Sequence, residues 1–176
     1  MKAENRSRAL SVVYYIGVVL MVLSACELIP LITSVICGEK KFIFVFLIST
    51  SIMISVAAIL ISVGAPYRNM KLRFGEGMTV ASGSWLLGML LCALPYLFSG
   101  QYLSYTDCCF DVMSGLTTTG LSMIQDLDHI SNGLNMWRFV LTYIGGQGMV
   151  VLALTFLTRD TANAYEMYVG EAKDEH

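Results

Sequence analysis

Four apolar stretches, Ala9 to Cys37, Phe42 to Gly64, Met78 to Phe98 and Leu134 to Leu157, dominate the chain. Each reaches or exceeds the roughly 20 residues that a helix rising about 1.5 Å per residue needs to cross about 30 Å of hydrocarbon. No other feature restricts the fold so strongly, because in lipid every backbone polar group must find its partner inside the protein. Only 14% of the 176 residues are charged, against about 25% in soluble domains, and 56% are hydrophobic. The first stretch runs well beyond the roughly 7 to 15 apolar residues of a signal-peptide core, so it counts as a span. The expected fold class is all-α integral membrane, embedded in lipid through four helices.

The distribution of basic residues orients those spans. Lys2, Arg6 and Arg8 precede the first, Arg68, Lys71 and Arg73 follow the second, and Arg159 and Lys173 follow the fourth, whereas no Lys or Arg lies between the third span and Trp137. By the positive-inside rule both termini are cytoplasmic, and the Tyr105 region enters from outside. Lys40 and Lys41 sit in a loop that this topology places outside, against the rule.

Tyr105 to Leu121 reads YTDCCFDVMSGLTTTGL, too short to cross a bilayer and lying between the third and fourth spans. Ser104 or Thr106 can cap a short helix over 105–114, which covers about 15 Å, half the hydrocarbon core. A loop over 115–122 must then turn back, with Gly115 and Gly120 supplying backbone freedom. Non-helical backbone at membrane depth is tolerated only where it is buried in protein or lines a wet cavity, so the segment reads as a re-entrant pore loop. A helix aiming its C-terminal end at the membrane centre presents the negative end of its dipole, which favours a cation. The carbonyl and hydroxyl oxygens of Thr117, Thr118, Thr119, Gly120 and Leu121 can then replace an ion's hydration shell. Asp107, Asp111, Asp126 and Asp128 are unopposed by Lys or Arg until Arg138, and a mouth lined by one sign concentrates counter-ions.

The remaining chemistry-bearing residues are sparse. Glu27 lies inside the first span beside Pro30, where an ionisable group is either functional or reaches the interface or a neighbouring helix. Span three carries Gly83, Gly88 and Ala93, small residues that let helices approach closely. Trp137 suits the interfacial aromatic belt, and GGQG, Gly145 to Gly148, thins or bends the fourth span. Cys26, Cys37, Cys92, Cys108 and Cys109 form no complete disulfide framework or metal-ligand spacing. His129 and His176 lie in polar sequence with no Ser/His/Asp grouping, so nothing points to an enzyme, a resident cofactor or a nucleic-acid partner. His129 beside Asp128 can at most respond to external pH.

FDVMSGLTTTGLS followed by WRFVLTYIGGQGMVVLAL resembles the first pore repeat of the Trk/Ktr/HKT superfamily of potassium transporters, in its TrkH and KtrB branch. GEGMTVASGSWLLGMLLCALPYLFS is similar to that family's helix before the pore loop, and ELIPLITSVICGE to its N-terminal prefix. The resemblance implies a two-span prefix over 1–66, a first pore repeat over 67–158, and a cytoplasmic connector over 159–176 that stops short. It implies potassium coordination by Thr118 and Thr119, a filter glycine at Gly120, a loop completed by Leu121, and a pore-helix acid at Asp111. Potassium is then a transported ligand. Plasma-membrane localisation, a dimer of four-repeat pore subunits and a cytoplasmic nucleotide-binding regulatory ring are further implications of membership. One repeat supplies oxygens from one side only, whereas enclosing an ion takes about four sides. The sequence is therefore expected to be the N-terminal part of a longer transporter, with a homo-oligomeric cation channel or a non-conducting assembly fragment as alternatives.

Overall fold

The computed structural model describes residues 2–70, 72–124, 130–148 and 150, with side chains from residue 6 onward. Helices α1 (Lys2–Cys26), α2 (Leu28–Ile36), α3 (Lys40–Gly64), α4 (Phe74–Cys92), α5 (Leu94–Ser99) and α6 (Tyr105–Leu116) follow one another, and α7 covers 132–148. Among the described residues there is no strand. Three helical segments, Arg6–Ile36, Lys40–Tyr67 and Phe74–Ser99, are long and apolar enough to cross a membrane. The fourth expected span begins as α7, and its remainder to Leu157 lies outside the described residues, as do Asp126, Asp128, His129 and the 159–176 tail.

Two of the expected spans are interrupted at a single residue, each near a proline. Pro30 has no N–H to give to Cys26, and the helix is interrupted at Glu27 between α1 and α2. Pro95 likewise cannot bond to Leu91, which divides α4 from α5 at Ala93. The second break leaves the Cys92 carbonyl to accept from Trp137 Nε1 at 3.1 Å. Trp137 is therefore completely buried in the core, a correction to its expected place in an interfacial aromatic belt. Its indole finds its partner inside the protein instead of at the lipid headgroups.

Helix α1 packs along α3 and α4, and the small residues set the distances. A methyl group added at Gly83 would meet Ile16 Cδ1 at 2.9 Å, and one at Gly88 would meet Leu23 Cδ1 at 3.2 Å. Without a hydrophobic drive between helices in lipid, such close approach is what supplies packing energy. On the outward face of α3, Ser51, Ser55 and Ser62 return their hydroxyl protons to the carbonyls of Leu47, Ser51 and Ala58 at 2.6–2.7 Å. These serines can thus face hydrocarbon with no unsatisfied donor.

Glu27 resolves toward its neighbouring helix. The carboxylate is fully buried at the interruption, accepts a hydrogen bond from Ser49 on α3, and leaves Oε2 without a partner among the described residues. At the opposite end of α1, Arg8 Nη1 pairs with Glu76 Oε1 at 3.1 Å, and Ser11 and Tyr15 donate to the carbonyls of Tyr67 and Arg68. Glu76 Oε2 also accepts from Arg73 N at 2.7 Å, starting α4 four residues before the expected Met78.

Candidate functional site

Helix α6 has twelve residues, so it covers about 18 Å at 1.5 Å per residue, well short of a bilayer core. Its start follows ordinary capping rules. Ser104 Oγ accepts from Asp107 N at 3.2 Å, and Asp107 Oδ2 accepts from Ser104 N at 3.1 Å, a reciprocal box at the positive end of the dipole.

Its end departs from the usual pattern. Thr118 N donates to Gly115 O at 2.9 Å and Thr119 N to Ser114 O at 2.8 Å, the pair of bonds that defines a Schellman turn. The left-handed position of such a turn is usually glycine, yet here Thr118 holds it with φ 57°. For a β-branched residue that conformation carries strain. Gly120 is also left-handed, with φ 80°. Gly115, expected to free the backbone for the turn, instead remains inside α6. There it allows close approach, since a methyl group on it would lie 3.3 Å from Leu141 Cβ of α7.

The turn sorts donors from acceptors. The N–H groups of Thr117, Thr118, Thr119 and Gly120 all point back to carbonyls of Met113, Ser114 and Gly115. Among the described residues, the carbonyl oxygens of Thr118, Thr119 and Gly120 accept no hydrogen bond. Thr117 O is engaged by Thr118 Oγ1 at 2.7 Å, and Leu121 O by Ser114 Oγ at 2.7 Å. Of the five residues expected to offer oxygens, three thus keep their carbonyls unspent. Thr118, Thr119 and Gly120 are exposed in this chain.

Beyond Gly120 the chain reverses and runs back beside α6. Leu121 lies level with Ser114, and Met123 N donates to Asp111 Oδ1 at 2.7 Å. Asp111 Oδ2 accepts from Tyr102 OH at 2.6 Å and from Ser122 Oγ at 3.0 Å. The Asp111 carboxylate is only 6% exposed and ties the incoming strand of chain, the helix and the return segment together. Burial and the bond to Asp111 push the Tyr102 phenol above its ordinary pKa, so it stays a donor. Asp107 and Asp111, expected as mouth acids, are thus occupied as a helix cap and a loop strut.

The first cation after these acids, Arg138, lies close to one of them. Asp111, Ser114, Gly120, Leu121, Asn135 and Arg138 share an open cavity of about 430 Å³. Residues 135, 138 and 142 fall on one face of α7, and that face turns toward the return segment. Arg138 and Asp111 therefore line the same cavity.

Helix α7 buttresses the turn from behind. A methyl group at Gly145 would overlap the carbonyl and backbone of Leu116, and one at Gly146 would lie 3.4 Å from Thr118 Cγ2. The first glycines of GGQG thus act by thinning the helix where the end of α6 rests on it. Sequence reasoning did not find Thr118 as the left-handed residue, Tyr102 and Ser122 as partners of Asp111, or Arg138 in the cavity. Of these, Arg138 carried the one readable signal, an isolated charge one helical turn from Asn135.

The family described as TrkH, cation transport protein, matches residues 43–176. An uncharacterized cation transporter of Methanocaldococcus jannaschii is 29% identical over 93% of this chain and 34% of its own length. The Trk system potassium uptake protein TrkG of Escherichia coli K12 is 28% identical over 95% of this chain and 34% of its own length. The Trk system potassium uptake protein TrkH of Halomonas elongata is 30% identical over 81% of this chain and 29% of its own length. The chain spans about a third of the length of these relatives. No solved structure matches it. With a family match over residues 43–176, helices of membrane-crossing length and a short helix ending in a reversing loop, the chain belongs to the TrkH family of cation transport proteins.

Proposed function

We propose that this chain supplies one wall of a potassium-selective filter in a Trk-type uptake system of the plasma membrane. Both termini are cytoplasmic in this reading, and α6 points inward from the outer side. Potassium is coordinated by the carbonyl oxygens of Thr118, Thr119 and Gly120, with Thr117 and Leu121 contributing through their remaining lone pairs. The single observation that carries the reading is the sorting of the turn: its N–H groups are consumed by the end of α6 while those three carbonyls are left unspent. The negative end of the α6 dipole adds to the attraction for a cation.

One wall coordinates from one side, so further loops of the same kind must complete the ring, on this polypeptide or on others. Potassium is the only ligand the reading requires. Pairing of pore subunits and a cytoplasmic nucleotide-binding partner are proposed from family resemblance alone. Asp107, Asp111, Asp126 and Asp128 contribute to the field at the outer side, with Arg138 opposing them.

Gly120→Ser tests the reading. In a potassium-uptake-deficient bacterial host carrying a conducting assembly of this chain, the variant is expected to lower potassium discrimination over sodium while membrane insertion is unchanged. A seryl side chain at φ 80° is strained wherever space permits it, so the loop must shift. Unchanged ion preference would remove residues 117–121 from the filter.

A further inference from the structure

We infer that the α2–α3 junction, Gly38 and Glu39 with the first turn of α3, is a clamp that positions the candidate filter loop. Glu39 reaches across 93 residues of sequence: Oε1 accepts from Asn132 N at 2.9 Å and Asn132 Nδ2 at 3.2 Å, and Oε2 accepts from Gly133 N at 3.2 Å. Ser131 Oγ takes the next amide, Leu134 N, at 3.2 Å. Together they satisfy the orphan N–H groups of the first turn of α7, and the carboxylate faces the positive end of its dipole. Two residues on, Lys41 Nζ donates to Ser99 O at 2.7 Å, placing an ammonium on the C-terminal carbonyl of α5. One short junction therefore grips the start of α7 with an anion and the end of α5 with a cation.

Those two helix ends flank the re-entrant segment on either side. Ser99 leads within five residues to Ser104, the N-cap of α6, and the connecting Tyr102 is bonded to Asp111. Helix α7 carries the surface on which the turn rests, through Leu141 against Gly115 and Gly145 against Leu116. Fixing the separation of α5 and α7 at the outer side thus fixes where residues 117–120 stand. The clamp also accounts for Lys41 at the start of α3, where the positive-inside rule disfavours it: its charge is used on a helix end. Glu39 and Lys41 are positioning residues, since neither touches the loop itself.

The inference rests on reading 117–121 as a filter for its functional weight, and amide exchange separates the two. In the purified 176-residue chain without added potassium, Glu39→Ala and Lys41→Met are each expected to raise exchange about tenfold at Thr117–Gly120. Glu39→Ala should also raise it at Asn132 and Gly133, while the amides of α3 stay protected. Glu39→Gln keeps an acceptor oxygen and should give the same loop-specific pattern at smaller size. A rise at 132–133 with no change at 117–120 would make the contact a local cap and overturn the clamp. So would a rise spread evenly over α3 and the loop in all three variants. The ion preference of Gly120→Ser in a conducting assembly tests the filter reading independently.

Discussion

The two ends of α6 are built by opposite rules. At the start, Ser104 and Asp107 cap each other's backbone as any helix prefers, and nothing there is strained. At the end, the hydrogen bonds of a Schellman turn are all present, but a threonine occupies the position that glycine normally takes. Agreement between residue and local rule marks a structural role, whereas disagreement held in place by surrounding contacts marks a site where something other than stability is served. The two ends therefore differ in what breaking them should do.

The contact that holds the unusual end should have the largest effect. Gly145→Val places a branched side chain against the backbone of Leu116, where no flexible group can give way. Overpacking of this kind costs about 3 kcal/mol or more. Thermal unfolding of the purified chain in detergent is expected to show a marked loss, whereas Gly77→Val, with open space around it, should be close to neutral. Equal stability of the two variants would detach α7 from the turn.

Asp111→Ala follows. It removes acceptors from Tyr102 OH, Ser122 Oγ and Met123 N, leaving a partly buried amide and phenol unpaired. The expected cost is about 2–3 kcal/mol, with the return segment losing amide protection while the capped start of α6 keeps its own. Asp111→Asn retains one acceptor oxygen and should lose roughly half as much. If Asp111→Ala leaves the 121–123 amides protected, the strut assignment fails, and the mouth-acid role first expected for this residue gains.

How far these features could be read from the sequence follows from their range. The first three spans were legible, because length and apolarity are properties of the chain itself, and the resemblance of FDVMSGLTTTGLS and GGQG pointed to the family. The α6 start at Tyr105 was legible from Ser104, and the helix runs to Leu116 rather than 114. What could not be read depended on partners distant in sequence. Trp137 looks interfacial until the break at Pro95 offers it the Cys92 carbonyl, and Lys41 looks misplaced until Ser99 O appears beside it. Gly115 looks like the turn residue by composition. Only the close packing of Leu141 shows that its missing side chain serves α7, which leaves Thr118 to make the turn.

The smallest effects decide the comparison most sharply, because they differ in sign. Ser104→Ala removes a conventional cap and should destabilise by about 1 kcal/mol, with ion discrimination unchanged in a conducting assembly. Thr118→Gly should do the reverse on both counts. It relieves a left-handed penalty of about 1–2 kcal/mol and returns about 0.5–1 kcal/mol as extra freedom of the unfolded chain, so a net gain of about 0.5 kcal/mol is expected. It also deletes the Thr118 methyl that packs beside Gly146 and the hydroxyl that holds Thr117 O. The carbonyls are then less firmly aimed, and potassium discrimination should fall although the fold is more stable. A destabilised Thr118→Gly would show that the methyl contact with α7, rather than any demand on the aim of the carbonyls, is what keeps threonine at that position.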